Sequence, residues 1–256
     1  MLLLLYYPAS SAATPVRVRH MEGITHGFLI LRGLDGKTIA YGELDQVVGG
    51  KTGIVTTDMN FHFNDGSSFR EITKFTQQSE FRLVSDKVVQ KGPSFAHQSE
   101  TEIDTATGNV TVRTIDDGKQ RVTTKHLNLP ADVSNGMLPV LMKNLSKPGT
   151  AATVSMVATS SSPRLLRLNL VPQEETTFKF ASALHKTQHF IVKIKISGIA
   201  GVIAPLVGKQ PPDLQMWILE SEAPSFLQSE GPLAEGTPVW RIEIAAPDAA
   251  SLKAAR

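Results

Sequence analysis

The stretch Phe190–Ile196 reads F-I-V-K-I-K-I. Val192, Ile194 and Ile196 fall on one side of an extended chain, and Lys193 and Lys195 on the other. A period of two with β-branched residues marks a half-buried strand. The pattern recurs along the chain and excludes a helical bundle. Leu214–Leu219 puts Leu214, Met216 and Ile218 on one face and Gln215, Trp217 and Leu219 on the other. With one polar side chain, it reads as a strand covered on both sides near its end. Pro238–Ala245 sets Trp240, Ile242 and Ile244 against Arg241 and Glu243.

Turn signals punctuate these strands at regular intervals. Phe28–Leu31 is followed by Leu34-Asp35-Gly36 and a return over Lys37–Leu44. Asp-Gly supplies the positive φ of a tight hairpin. Ile54–Phe63 carries Met59, Phe61 and Phe63 on one face, turns at Asn64-Asp65-Gly66-Ser67 and returns over Phe69–Gln77. Phe81–Gln90 continues the series. Thr101–Asp104, Val110–Ile115 and Gln120–Leu127 are joined by Thr107-Gly108-Asn109 and Asp116-Asp117-Gly118. Such recurrence predicts an antiparallel meander.

The period changes at Leu129. In L-P-A-D-V-S-N-G-M-L-P-V-L-M-K-N-L, Leu138, Leu141, Met142 and Leu145 stand at helical spacing. A helix is expected over Ser134–Leu145, capped by Asp132 or Ser134, with Pro139 in its first turn. Short strands then resume at Thr153–Ala158, Leu165–Val171 and Thr176–Phe180, with Ser160–Pro163 as a loop. Gly198–Gly208 is apolar almost throughout and bears Pro205. It reads either as a buried connection or as an apolar flap facing a ligand or membrane, since exposed apolar surface marks interaction sites.

With 256 residues, 41% hydrophobic and 20% charged, the chain has the apolar content of one large β domain. The net charge of +2 is scattered, with no basic stripe, so nucleic acid is not an expected partner. Cysteine is absent, which removes disulfides, thiolate metal sites and a cysteine nucleophile. Val47–Thr52, V-V-G-G-K-T, resembles the end of a phosphate loop, but Asp45 stands where its first glycine belongs and a strand follows, so it reads as a turn. His185 and His189 share a strand face roughly 13 Å apart, too far for one zinc. His62 and His126 are lone strand histidines, and no metal is assigned. There is no G-x-S-x-G elbow. Asp116-Asp117 and Glu174-Glu175 read as solvated turn residues. No catalytic residue and no cofactor is assigned.

The chain opens M-L-L-L-L-Y-Y-P-A-S-S-A-A-T-P. The leucine run and small residues through Ala13 read as a signal segment lacking its basic start. Residues 1–13 are therefore expected to direct export, 14–246 to form one β-rich domain, and 247–256 to fray. No other segment has about 18 consecutive apolar residues, so no membrane-spanning helix is expected.

Several stretches taken in order carry a resemblance: F-H-F-N-D-G-S, V-Q-K-G-P-S-F, L-P-A-D-V-S-N-G with its helix, P-P-D-L-Q-M-W-I-L-E-S-E-A-P-S-F, and V-W-R-I-E-I. In layout, over about Gly33–Ile244, the chain resembles an uncharacterised bacterial family of exported β-rich envelope proteins, a domain of unknown function. The resemblance implies a mainly β fold, a large antiparallel curved sheet similar to the lipoprotein-carrier half-barrels, with one short helix against its concave side. Its motifs are short and not catalytic, so no functional residue is carried over.

The aromatics Phe61, Phe63, Phe81, Trp217 and Trp240 lie in expected strands. They read as plain core or as the wall of an apolar cavity in a strongly curved sheet. On the second reading, Met216 and, from the flap, Ile203 and Leu206 complete the candidate ligand-binding set. The expected function is a non-enzymatic periplasmic or secreted protein. It binds a lipid or other apolar small molecule or a lipidated partner, with peripheral membrane contact. The alternative is a structural or interaction protein of the cell envelope, partnered by another envelope protein, with a filled core. A hydrolase-type enzyme comes third.

Overall fold

The computed structural model describes residues 16–116, 118–145, 151–160, 162–180, 183–195 and 212–245. The signal segment, the apolar stretch Gly198–Gly208 and the tail lie outside these residues.

Eight strands form a first meander: β1 (Thr25–Gly33), β2 (Thr38–Val48), β3 (Ile54–Phe63), β4 (Ser68–Gln77), β5 (Phe81–Lys91), β6 (Gln98–Asp104), β7 (Asn109–Asp116) and β8 (Lys119–His126). A short helix, α1 (Leu138–Asn144), follows. Six more strands form a second meander: β9 (Ala152–Ala158), β10 (Arg164–Phe180), β11 (Ala183–Lys195), β12 (Leu214–Leu219), β13 (Ser225–Pro232) and β14 (Val239–Ile244). Antiparallel pairing of β1 with β14, Leu29 opposite Ile244 and Leu31 opposite Ile242, joins the meanders. The result is one 14-stranded antiparallel sheet running from edge strand β8 to edge strand β9, which do not pair with each other. The fold is mainly β: an open, barrel-like sheet with one short helix.

The curvature follows from packing. Val133, Met137, Val140, Leu141 and Met142 share one buried cluster with Val55, Phe75, Phe81, Ile103 and Val110 of the first meander. The same cluster takes in Val154, Leu168, Phe190, Val192, Met216 and Ile218 of the second. A seven-residue helix and its leading loop touch both only if the sheet wraps around them. Register shifts at Leu31/Arg32, Lys74/Phe75, Pro172/Glu175 and Trp217/Ile218 supply the bends, since bulges sharpen local twist.

The helix is shorter than its apolar pattern predicts and has no side-chain cap. Pro139 does sit in its first turn. Asp132 and Ser134 have other work. Asp132 accepts bonds from the Ser155 hydroxyl at 3.0 Å and the Arg167 guanidinium at 2.9 Å. The Ser134 hydroxyl donates to the Ser155 carbonyl at 2.9 Å. Beside them, Asn135 mimics a strand: its amide accepts from Val157 N at 2.8 Å and donates to Val157 O at 2.9 Å. The motif D-V-S-N thus covers the open edge of β9, which would otherwise invite pairing with another chain.

Two further expectations are corrected. Leu165–Val171 and Thr176–Phe180 belong to one 17-residue strand, β10, because Val171–Gln173 stays extended through the irregularity at Pro172. Glu174 and Glu175 lie in that strand rather than in a turn, with exposed side chains. The Val47–Thr52 stretch is the β2–β3 turn, closed by Gly49 N to Ile54 O at 2.9 Å.

Gly136 lets this loop reach the sheet. Its φ is +67°, and a Cβ there would fall on the Thr73 hydroxyl and 3.0 Å from Asp86 Oδ1. Gly66, at φ +84°, has nothing within 4 Å. Both substitutions to alanine carry the left-handed backbone cost of about 1–2 kcal/mol. Gly136→Ala should lose at least about 2 kcal/mol more than Gly66→Ala in urea unfolding, because only the former also displaces the loop. Equal losses would show that the loop does not depend on this approach.

Candidate functional site

The inward-facing residues stack in rows across the first meander. One row reads Ala40 and Phe63, the next Gly42, Phe61 and Phe69. A third runs Leu44, Met59, Glu71, Val88, Thr101 and Val112. A fourth runs Gln46, Thr57, Thr73, Asp86, Ile103 and Val110.

The first two rows are closed. Leu29, Leu31, Ala40, Phe61, Phe63, Phe69, Phe95 and Trp240 form a second buried cluster. Phe95 comes from the β5–β6 loop, edge-on to Phe63 at 5.3 Å, while Trp240 lies 5.6 Å from Phe63. Gly42 is required beneath this group, since a Cβ there would stand 2.5 Å from the Phe61 ring. The loop is tied down by Asp65, which accepts from Ser67 N at 2.9 Å and the Ser94 hydroxyl at 2.7 Å. These bonds hold the Asp65 carboxyl below its ordinary pKa. The motifs F-H-F-N-D-G-S and V-Q-K-G-P-S-F therefore meet and close one end of the concave face.

The helix and its preceding loop close the other end. There Glu22 binds Lys143 at 2.6 Å and accepts from Gln46 at 3.0 Å. Asn144 accepts from Arg19 N and His20 N at 2.8 and 2.7 Å. The segment 16–23 is thereby strapped to the end of α1. The cavity between Phe81, Asp132, Met137, Leu141 and Val154 is only about 10 Å³, the space of a single water.

Between the two plugs the third row stays partly open. Leu44, Met59 and Val88 form a belt that packs against the aromatic cluster on one side and remains partly accessible, while Ile242 and Ile244, opposite Leu31 and Leu29, edge the aromatic cluster itself. Glu71 sits in the middle of this belt, flanked across the strands by Met59 and Val88. It lies deep in the protein, keeps part of its surface accessible, and forms no hydrogen bond or ion pair among the described residues. Its diagonal neighbour Asp86 is 3% exposed, lies under Gly136 and accepts a 2.8 Å bond from the Thr73 hydroxyl. Burial pushes both carboxyls up, Glu71 to about 8 and Asp86 to about 7, and the charge of Asp86 adds to the rise at Glu71.

The residues singled out from sequence divide among these parts. Phe61, Phe63 and Trp240 form the aromatic plug, with Phe61 wholly buried. Phe81 and Met216 pack in the helix cluster. Trp217 points the other way and stacks on His189, centroids 4.5 Å apart and planes 5° apart. His189 pairs with Gln215 at 3.1 Å, and burial lowers its pKa. Ile203 and Leu206 lie outside the described residues. Among the described residues no three His, Asp or Glu side chains converge as metal ligands, and no helix is long and apolar enough to cross a membrane. Sequence reading missed Glu71 and Asp86. The signal was present: Glu71 breaks an inward run of Phe69, Thr73 and Phe75, and Asp86 stands between Leu83 and Val88.

Both carboxyls bind protons more tightly in the folded chain than at the ordinary carboxylate pKa near 4. Between about pH 4 and about pH 8 the folded state therefore holds more protons, and stability falls as pH rises through that window. The midpoint of thermal unfolding should be lower at pH 9 than at pH 6. The double variant Glu71→Gln, Asp86→Asn should narrow the difference; an unaltered difference would place its cause elsewhere.

No family model matches the chain, and no curated protein matches it. Among solved structures it is similar to a crystal structure of a β-barrel-like protein of a domain of unknown function, DUF1849, from Brucella abortus. The TM-score is 0.50 and the identity 8%, over 89% of this chain and 98% of that one. At that identity the likeness is one of fold: an uncharacterised β-barrel-like domain.

Proposed function

We propose that the protein is a non-enzymatic envelope protein, exported to the periplasm or secreted, that binds a lipid-like ligand or the acyl chain of a lipidated partner on its concave face. The observation that carries this reading is the belt of Leu44, Met59 and Val88. These inward-facing apolar side chains stay partly accessible while the rows on either side are packed shut. Apolar, concave surface with one polar group is the ordinary composition of a small-molecule site. The Leu2–Leu5 run and the small residues through Ala13 support export.

A hydrolytic reading draws on the paired carboxyls, since raised pKa values mark general acids and bases. Asp86 lies beneath the Gly136 loop, however, so a single accessible carboxyl remains. A structural envelope protein with a filled core draws on the helix plug, which leaves only a water-sized cavity.

Titration with the neutral apolar dye N-phenyl-1-naphthylamine separates the readings. Saturable binding is expected, and Val88→Trp, which fills the belt, should weaken it at least about tenfold with the β-sheet circular dichroism unchanged. Val122→Trp, at an exposed site on β8, should leave it intact. Absence of saturable binding would favour the filled-core protein.

A further inference from the structure

We propose that Glu71 is the head-group subsite of the belt and that it takes a primary ammonium at the end of an alkyl chain. This rests on the belt being the ligand site. Buried carboxyls are normally hydrogen-bonded or paired. Glu71 is neither among the described residues, although it stands on the concave face between Met59 and Val88, which stay partly accessible.

The charge around it selects the ligand. Asp86 is the one charged group whose field acts on Glu71. The cations drawn in around the helix are committed elsewhere: Lys143 to Glu22 and Arg167 to Asp132. Across the strands Glu71 faces Met59 and Val88, which offer no positive charge. Thr73 gives its hydroxyl proton to Asp86. A fatty-acid carboxylate would add a third acid beside an Asp86 whose charge already raises the proton affinity of Glu71. An alcohol would gain one neutral bond. An ammonium donates a charge-assisted bond to the carboxylate and removes the like-charge conflict. The alkyl chain then lies along Leu44, Met59 and Val88.

Binding moves one proton. The ammonium keeps its own, since alkylamines titrate near the lysine value of about 10.4. Glu71 passes its proton to solvent and becomes the carboxylate that accepts the N–H. Occupancy by the amine therefore strengthens as pH rises from 6 to 9, and an alcohol of equal length shows no such trend.

The test uses the full chain and displacement of bound N-phenyl-1-naphthylamine by decylamine, 1-decanol and decanoate. Decylamine is expected to displace the dye at least about tenfold more effectively than the other two at pH 7.5, with the advantage growing towards pH 9. Glu71→Gln should bring decylamine to within about twofold of decanol and leave decanol unchanged. Glutamine is isosteric with the protonated acid, and circular dichroism checks that the variant folds. Equal displacement by all three compounds, tighter decanoate, or an amine advantage that survives Glu71→Gln would overturn the head-group assignment while leaving the apolar belt standing. If the dye itself does not bind, the belt reading fails and the assignment falls with it.

Discussion

A 14-stranded antiparallel sheet has one apolar face and must bury it. Among the described residues nothing of comparable size lies against that face: α1 has seven residues. The sheet therefore curls until its own two halves supply each other's cover, and the helix with its leading loop fills the space that closure leaves. The close approach of Gly136 to Thr73 and Asp86 fixes how far that filler enters. Everything on the concave side depends on this contact. It sets which rows are sealed by the helix, which are left to the aromatic plug, and which stay open between them.

The two plugs are made differently. At one end, rings from β3, β4, β14 and the β5–β6 loop pack together: Phe95 edge-on to Phe63, Trp240 tilted against Phe63, and Phe69 stacked on Phe95. The loop that brings Phe95 is held by the Asp65–Ser94 and Ser67 bonds. At the other end, aliphatic side chains of α1 meet both meanders, and the helix is fastened to the 16–23 segment through Asn144 and Lys143. The same leading loop also covers the β9 edge. Among the described residues no such cover lies over β8, whose Lys119, Arg121 and Lys125 place charge along an edge strand, a common guard against edge-to-edge pairing.

Glu71 and Asp86 fit poorly with a purely structural interior. A packed apolar pair in their place would avoid the desolvation that drives both pKa values up. Asp86 has a local role, since it holds Thr73 under the helix loop. Glu71 holds nothing among the described residues. A deep acid without a structural partner, set in the accessible part of a concave face, is the kind of local inconsistency that marks function.

Period-two alternation, Asp-Gly turns and one stretch of helical spacing were enough to specify an antiparallel β fold with a single helix. These signals are local: they depend on side-chain direction and on φ at one or two residues. The inward faces of β3, β12 and β14 were legible for the same reason. So was the burial of Phe61, Phe63, Phe81, Met216 and Trp240. Three things were decided only by the tertiary structure. The turn at Asp65 and the motif around Ser94 read as unconnected stretches, yet they form one latch, because residues 29 apart meet only once β4 pairs with β5 and sets Ser68 opposite Lys91. Asp132 and Ser134 had the chemistry of helix caps, and the β9 edge claimed them instead. Trp217 shared its strand with the core, but its parity sends it to the other face. The acid pair was least legible of all. Each carboxyl is an ordinary residue in its own strand, and only the closing of the sheet and the descent of the Gly136 loop take the water away from them.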